Sequence, residues 1–482
     1  MENTKQKVLS NLVWRFAERS GAQLVQFVVS IVLARIIAPE AYGTIALITV
    51  FTTILQVFVD SGLGNALIQK KDADDLDFST VFYFNSFFCL ILYGIVFICA
   101  PLIANFYNDQ SLVLLTRVLS LTIVISGVKN VQQAYVSKNL IFKKFFFATL
   151  LGTVGAAAIG IFMAYKECGV WALVAQQLFN LTVDTIILWI TVKWRPKLMF
   201  SFERLKGLFS YGWKLLVSSL LDTVYNQITQ LMIGKIYTKA DLAFYNKGNQ
   251  FPNIIVSNIN NSIDSVLLPT MSNEQDNIEK VKEMTRRAIK TSVFIMAPLM
   301  MGLAFTSNNV VTLLLTEKWL PCVPFLCIFC ITYMFHPIHT SNLNAIKSMG
   351  RSDLFLKLEI IKKIVGGIIL VSTMFISVEA MAYGLLIGSF LSQIINAWPN
   401  KKLLGYSYLQ QIKDILPSIL LALVMGIIVY LFNFINMPII LILVIQILIG
   451  GIIYIIGAKI FKLDSFEYIY GMIKELIKKK TP

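Results

Sequence analysis

LARIIAPEAYGTI at residues 33–45 and IGKIYTKADLAFY at residues 233–245 align without a gap at a spacing of 200 residues. Arg35 meets Lys235, Ile36 meets Ile236, and farther along ALI at 66–68 meets VLL at 266–268. A weaker echo, at a shift near 211, sets QQAYVSKN at 132–139 against LNAIKSMG at 343–350. A chain that repeats itself over such a distance is built from two similar halves, and the fold turns on what one half is made of.

Composition supplies the answer. Of 482 residues, 56% are apolar and 14% charged, the latter about half the usual share of roughly 25%. Apolar runs of the roughly 20 residues that a helix needs to cross about 30 Å of hydrocarbon recur along the chain. Alternating strand patterns are absent, so helices are expected to satisfy the backbone in lipid. Fourteen spans are expected, at approximately 10–37, 42–68, 79–106, 113–136, 145–165, 169–192, 208–236, 241–270, 288–315, 320–346, 355–377, 380–398, 415–434 and 437–458. The connections are short and leave no separate soluble domain. The expected fold is an all-α integral membrane protein with an N-lobe of spans 1–6 (residues 1–200) and a C-lobe of spans 7–12 (201–400). Spans 13 and 14, outside the repeat and without charge, follow with a basic amphipathic tail (401–482). Both six-span halves begin on the same face, which makes them parallel repeats about an axis along the membrane normal, two lobes around a central cavity. The N-terminal MENTKQKVLSNLVWRFAERSG lacks the apolar core and cleavage site of a signal peptide, so the first helix is expected to stay.

Lysine and arginine set the orientation. With the N-terminus in the cytoplasm, 31 of the 42 basic residues fall on the cytoplasmic side or at span ends beside it, and Lys166, Lys239 and Lys318 on the other. Both termini are then cytoplasmic, and the tail GMIKELIKKKTP lies against an anionic inner surface. The remaining eight lie within spans: Arg15, Arg19, Arg35, Arg117, Lys129, Lys214, Lys235 and Lys247. Five acids join them, Glu18, Asp60, Asp184, Asp222 and Asp264. At about 2.5–3.5 kcal/mol for each charge facing mid-membrane lipid, they must pair, snorkel or line water.

Uncharged polar residues share their rhythm. Asn246, Gln250, Asn253, Ser257, Asn260, Asn261 and Asp264 recur at spacings of three and four and form one stripe on span 8. Span 7 carries Lys214, Ser218, Asp222, Tyr225, Asn226 and Thr229; span 1 carries Asn11, Arg15, Glu18, Arg19 and Gln26; span 2 carries Thr49, Thr53, Gln56 and Asp60. Interhelical hydrogen-bond glue accounts for one or two polar residues per helix, at about 0.6 kcal/mol each. Stripes of four or more point to a hydrophilic translocation cavity, with rocking of the lobes as its mechanism and Pro252, Pro298 and Pro337 as bending points.

Other chemistries find little support. The charge of +15 has no basic soluble domain through which to hold nucleic acid. Cys327 and Cys330 share a helix face without further ligands nearby, and His336 and His339 lack an acidic third ligand, so neither pair is expected to hold a metal. No P-loop is present, and no nucleophile, base and orienter can be assembled; enzyme activity and cofactors are not expected. In-span bases outnumber acids, which suits an anionic group, and the amide stripe suits hydroxyls. A phosphorylated, sugar-bearing lipid has both.

WRFAERSGAQLVQFVVSIVLARIIAPEAYGTIALITVF followed by DSGLGNALIQKKDADDLDFSTVFYFN resembles the start of the polysaccharide flippases, the Wzx-type branch of the multidrug, oligosaccharidyl-lipid and polysaccharide exporter superfamily. The likeness is to the subgroup of lipopolysaccharide, colanic acid and teichuronic acid clusters, and it covers approximately residues 8–410. It implies transfer of an undecaprenyl-pyrophosphate-linked repeat unit from the cytoplasmic to the outer leaflet of a bacterial inner membrane, in the company of polymerase and glycosyltransferase machinery. No ligand residues and no glycan carry over.

On this expectation the pyrophosphate is held by cavity cations among Arg15, Arg19, Arg35, Lys129, Lys214, Lys235 and Lys247, and the sugars by the stripe of span 8. Glu18, Asp60, Asp222 and Asp264 are candidate sites for a coupling proton or sodium ion. A lipid II flippase, a cation-coupled multidrug exporter and a non-transporting scaffold are the alternatives; a cationic excess counts against the second and buried polar stripes against the third.

Overall fold

The computed structural model describes residues 21–60 and 62–478. Its helices are α1 (Gly21–Ile36), α2 (Pro39–Asp60), α3 (Leu63–Gln69), α4 (Asp75–Tyr107), α5 (Leu112–Leu119), α6 (Leu121–Lys138), α7 (Lys143–Tyr165), α8 (Val170–Thr191), α9 (Phe202–Ile236) and α10 (Lys239–Ser272). There follow α11 (Ile278–Phe305), α12 (Ser307–Leu315), a 3-10 turn (Glu317–Cys322), α13 (Val323–Met334), α14 (His336–Ser348), α15 (Ser352–Thr373), α16 (Val378–Leu403), α17 (Tyr408–Leu431), α18 (Ile439–Ile460) and α19 (Asp464–Lys478). No strand occurs among the described residues.

Ten membrane-length apolar helical segments are present among the described residues. The other expected spans fall on α1, α9, α10 and α15. Of these, α9 and α10 run 35 and 34 residues, long enough at 1.5 Å per residue to cross a bilayer, but their polar stripes dilute the apolar signal. Fourteen spans are reached only by counting all four.

The repeat has a local structural counterpart. α1 stops at Ile36 and α2 starts at Pro39; α9 stops at Ile236 and α10 starts at Lys239. The same two-residue break therefore recurs at the 200-residue shift. The two sites meet at Gly43 of α2, where a Cβ would lie 1.8 Å from the carbonyl oxygen of Lys239 at the start of α10; only glycine admits that approach.

Two compact units divide the chain, residues 1–243 and 244–482. In the first, α9 packs along α2, so the unit extends past residue 200. α7 and α8 form its closest helix pair, their backbones brought together where Gly152 faces the Asn180 carbonyl and Gly160 faces Gln176. Small residues are how membrane helices gain contact without a hydrophobic drive. The core around Leu67, Phe78, Val131, Phe145, Leu188 and Trp194 lies under the α3–α4 connection. There the Asp77 carboxylate is fully buried, takes the Lys70 ammonium at 2.6 Å and completes a capping box with Asp74 at the start of α4.

In the second unit α11 is the central element, packed against α13, α14 and α17. Gln446 on α18 donates to the Val429 carbonyl of α17 at 2.9 Å and to Asn433 at 2.9 Å. Beyond the polar first turns of α17, the two helices present Leu420, Ile427, Ile447 and Ile455 outward, as lipid-facing surfaces do. α19 carries the amphipathic tail and docks on α11 through Phe466 against Phe294 and through Asp464, which accepts from Lys290 Nζ at 2.5 Å.

Candidate functional site

In the first unit α2, α6 and α8 line an open cavity of about 510 Å³. α2 supplies Thr52, Thr53, Gln56 and Asp60; α6 supplies Thr122, Ser126, Lys129, Asn130 and Gln133; α8 supplies Gln177, Asn180, Leu181 and Asp184. Leu181 is the one apolar side chain in that lining. Each helix contributes at spacings of three and four, so each presents one polar edge. On membrane-length helices such a lining is costly unless it meets water or a ligand.

Its charges are arranged rather than loose. Lys129 Nζ donates to Asp184 Oδ2 at 2.5 Å, with side chains 12% and 11% exposed, so this is a buried ion pair. Asp60 Oδ1 accepts from Gln56 Nε2 and Asn130 Nδ2, both at 3.4 Å, and Asn130 also donates to the Val59 carbonyl at 3.0 Å. Two carboxylates therefore face one ammonium, and that ammonium is already neutralised.

The other expected cations lie elsewhere. Lys235, at the last turn of α9, donates to the Phe106 carbonyl and sits 4.6 Å over the Phe106 ring. Lys214 is exposed on the same helix, 21 residues away or about 31 Å along the axis. A single pyrophosphate cannot bridge both. Arg35 is exposed at the end of α1. In the second unit Lys247 is 5% exposed, its Nζ 5.6 Å from the Trp319 ring centroid. Asn11, Arg15, Glu18 and Arg19 lie outside the described residues.

The stripe on α10 divides. Asn249 Oδ1 accepts from the Tyr333 hydroxyl at 2.7 Å, Asn260 Nδ2 meets His336 Nδ1 at 2.7 Å, and Asp264 Oδ1 accepts from Asn344 Nδ2 at 2.7 Å. These polar groups fasten α10 to α13 and α14. Asn253 and Asn261 are exposed, Asn246 and Gln250 half-buried, and Ser257 donates to the Ile254 carbonyl at 3.2 Å. Behind the fastening, Asn396 Nδ2 meets His339 Nδ1 at 3.0 Å, and Asn400 and Gln411 both bond the Asn342 amide at 2.7–3.0 Å, with Asn400 Oδ1 left buried without a partner. Asp222 on α9 is exposed.

Sequence reading named Thr53, Gln56 and Asp60 of the α2 edge and the charges Lys129 and Asp184, but missed Thr52, Thr122, Ser126, Asn130, Gln133, Gln177 and Asn180. The signal was present: 122, 126, 129, 130 and 133, then 177, 180 and 184, keep the same helical rhythm. Among the described residues no group of three or more His, Cys, Asp or Glu could hold a metal.

Comparison with known proteins agrees with this architecture. The teichuronic acid biosynthesis protein TuaB of Bacillus subtilis (strain 168) is 26% identical over 73% of this chain and 74% of its own length. The lipopolysaccharide biosynthesis protein WzxC of Escherichia coli (strain K12) is 25% identical over 85% of each chain. The succinoglycan biosynthesis transport protein ExoT of Rhizobium meliloti (strain 1021) is 21% identical over 83% of this chain and 79% of its own. Among solved structures, the lipid II flippase MurJ in an inward closed conformation superposes with a TM-score of 0.75 at 18% identity, covering 94% of this chain and 99% of that one. An inward-facing multidrug resistance transporter of the MATE family gives 0.62 at 17% identity, over 79% and 94%. At these identities the structures speak for the fold, and both belong to helical membrane transporters. Residues 32–324, more than half of the chain, match the family of polysaccharide biosynthesis proteins, and the chain belongs to it.

Proposed function

We propose that the protein is a flippase, which carries an undecaprenyl-pyrophosphate-linked oligosaccharide repeat unit from the cytoplasmic to the outer leaflet of a bacterial inner membrane during surface polysaccharide export. The observation that carries this reading is the polar cavity of the first unit, built on membrane-length helices in a chain of the polysaccharide biosynthesis family. An enzyme of polymer synthesis has no need of such a lining; a transporter of a hydroxyl-rich group does. The name of ExoT, a transport protein of succinoglycan biosynthesis, supports the same role.

Alternating access is the mechanism that suits the fold. Both termini lie in the cytoplasm under the positive-inside distribution. Outward passage of a pyrophosphate anion is favoured by an inside-negative potential, by about 2.3 kcal/mol per charge per 100 mV. Coupling to protons or sodium is thereby permitted rather than required; Asp60, Asp222 and Asp264 are the described carboxylates available to it. Lys214 is the described cation best suited to meet the anion, because it is exposed and carries no partner among the described residues.

Deletion of the gene in its host tests the reading, with surface polymer and undecaprenyl-linked oligosaccharide followed by mass spectrometry. Loss of polymer with inner-leaflet accumulation of the lipid-linked unit is the expected result. Intact polymer with a block in peptidoglycan precursor export, or with altered sensitivity to cationic drugs, would replace it with the lipid II or multidrug reading.

A further inference from the structure

We infer that the cavity between α2, α6 and α8 is a saccharide subsite, which takes uncharged sugar residues of the transported unit and leaves the pyrophosphate outside. This deepens the flippase reading and rests on it. Three observations point to the ligand class. The first is that the amides of Gln133, Gln177 and Asn180 line the cavity and make no hydrogen bond to any described residue. Each offers two N–H donors and a carbonyl acceptor, and amides left open in this way match the alternating donor and acceptor character of vicinal hydroxyls.

The second is an orphaned acceptor. Asp184 Oδ2 is held by Lys129, but Asp184 Oδ1 is buried without a hydrogen-bond partner. A buried carboxylate oxygen in that state is costly, and a ligand hydroxyl donating to it removes the cost. Lys129 fixes the carboxylate in place, so it acts as a positioning residue.

The third is size and charge. About 510 Å³ lies within the roughly 300–1,000 Å³ of sites for small organic ligands and far exceeds what a single coupling cation fills. Lys129 is the one cation in the lining and is already paired with Asp184, so the cavity offers no free cation to a phosphate and suits a neutral sugar. A cation is the competing occupant, but the Lys129 ammonium already holds the place beside Asp184 that a cation would take.

The test uses full-length protein in proteoliposomes and two probes from the host: the native undecaprenyl-pyrophosphate-linked oligosaccharide, and undecaprenyl pyrophosphate without sugar. Gln133→Ala with Gln177→Ala is the variant. Neither side chain holds a structural hydrogen bond, so folding is expected to survive and is checked by monodispersity. At the usual worth of a hydrogen bond, two lost amides weaken binding of the sugar-bearing lipid by about tenfold and leave the bare lipid unchanged. A folded variant that binds both probes like wild type, or loses both equally, would overturn the subsite. So would a variant whose only change is in its sodium or proton dependence, which would make the cavity an ion site. Wild-type protein that binds and moves neither probe would sink the flippase reading itself. A Gln177→Glu variant adds a second readout: retained size with added negative charge should still accept the sugar-bearing lipid, within a few-fold of wild type.

Discussion

Removing the Lys129 ammonium should destabilise the first unit far more than a surface lysine would, and removing its partner as well should return much of the loss. The two charges meet at 2.5 Å with side chains 12% and 11% exposed. At an effective dielectric of about 20, their attraction is roughly 7 kcal/mol. Desolvation costs several kcal/mol for each ion and cancels most of this, so the intact pair contributes little net stability. A lone survivor keeps its desolvation penalty without the attraction, and the cost of breaking such a pair is about 3–5 kcal/mol. Asp184 suffers especially, because its Oδ1 already lacks a partner. Lys129→Gln and Asp184→Asn, singly and together, form a double-mutant cycle that can be read by denaturant unfolding in mixed micelles. Each single change is expected to cost about 3 kcal/mol or more, and the pair together much less than their sum, a coupling near the top of the 0.5–3 kcal/mol seen for residues in contact. Additive losses with coupling below about 0.5 kcal/mol would refute the pairing. The same proteins separate a structural from a ligand role: a double variant that regains stability but has lost transport would show that the pair serves the substrate as well as the fold.

Three further outcomes follow from particular contacts. Gly43→Ala should cost at least about 3 kcal/mol, the upper part of the overpacking range, because its Cβ would meet backbone at 1.8 Å. Gly94→Ala, with nothing within 4 Å, should gain up to about 1 kcal/mol of helix propensity; equal apparent melting shifts for the two would contradict the close approach at the repeat's break. Asn342→Leu removes the side chain that Asn400 and Gln411 share; their donors keep the Asn342 and Tyr406 carbonyls, but Gln411 Oε1 loses its donor, at about 1–3 kcal/mol for that orphaned group; a neutral effect on unfolding would mean the cluster does not hold α14, α16 and α17 together. The Lys290 ammonium beside Asp464 holds that carboxyl below the ordinary carboxylate range. A lowered native value stabilises above the unfolded value of about 3.9 and is lost as pH falls below it. Amide exchange over 464–478, corrected for intrinsic rate, should stay level from pH 7 to 5 and rise below about pH 4. Asp464 is largely exposed, so the effect should be small and weakened by salt; a rise that Asp464→Asn leaves intact would locate its cause elsewhere.

The helical architecture was legible because lipid allows few ways to satisfy a backbone, and because the 200-residue shift is visible at residues 33–45 and 233–245. The break after Ile36 and after Ile236 falls where that alignment places it. The site was legible only by face. Periodicity tells that Asn246, Gln250, Asn253, Ser257, Asn260, Asn261 and Asp264 share an edge of α10, but says nothing of what stands opposite. His336 and Asn344 stand opposite Asn260 and Asp264, and they come from 76 and 80 residues farther along the chain. Pairing at that distance is a tertiary fact. Lys129 and Asp184, 55 residues apart, are the same case: each looks like an isolated charge in its own span, and only packing makes one the counter-ion of the other.

That division also bears on how such a site can work. A cavity that must release its ligand on every cycle gains little from free cations, since an unscreened ion pair in a low-dielectric wall holds too firmly to let go. In the first unit the ammonium is spent on Asp184, and the groups left open are amides and hydroxyls, each worth only about 0.5–1.5 kcal/mol to a partner. Several such bonds discriminate a hydroxyl-rich ligand by number and position, and each breaks easily. Buried amides that bond one another across helices, like those of Asn342, Asn400 and Gln411, do the opposite and stiffen the helices they join. The chain thus uses one residue chemistry for two purposes, and the difference between them is whether the partner lies within the protein.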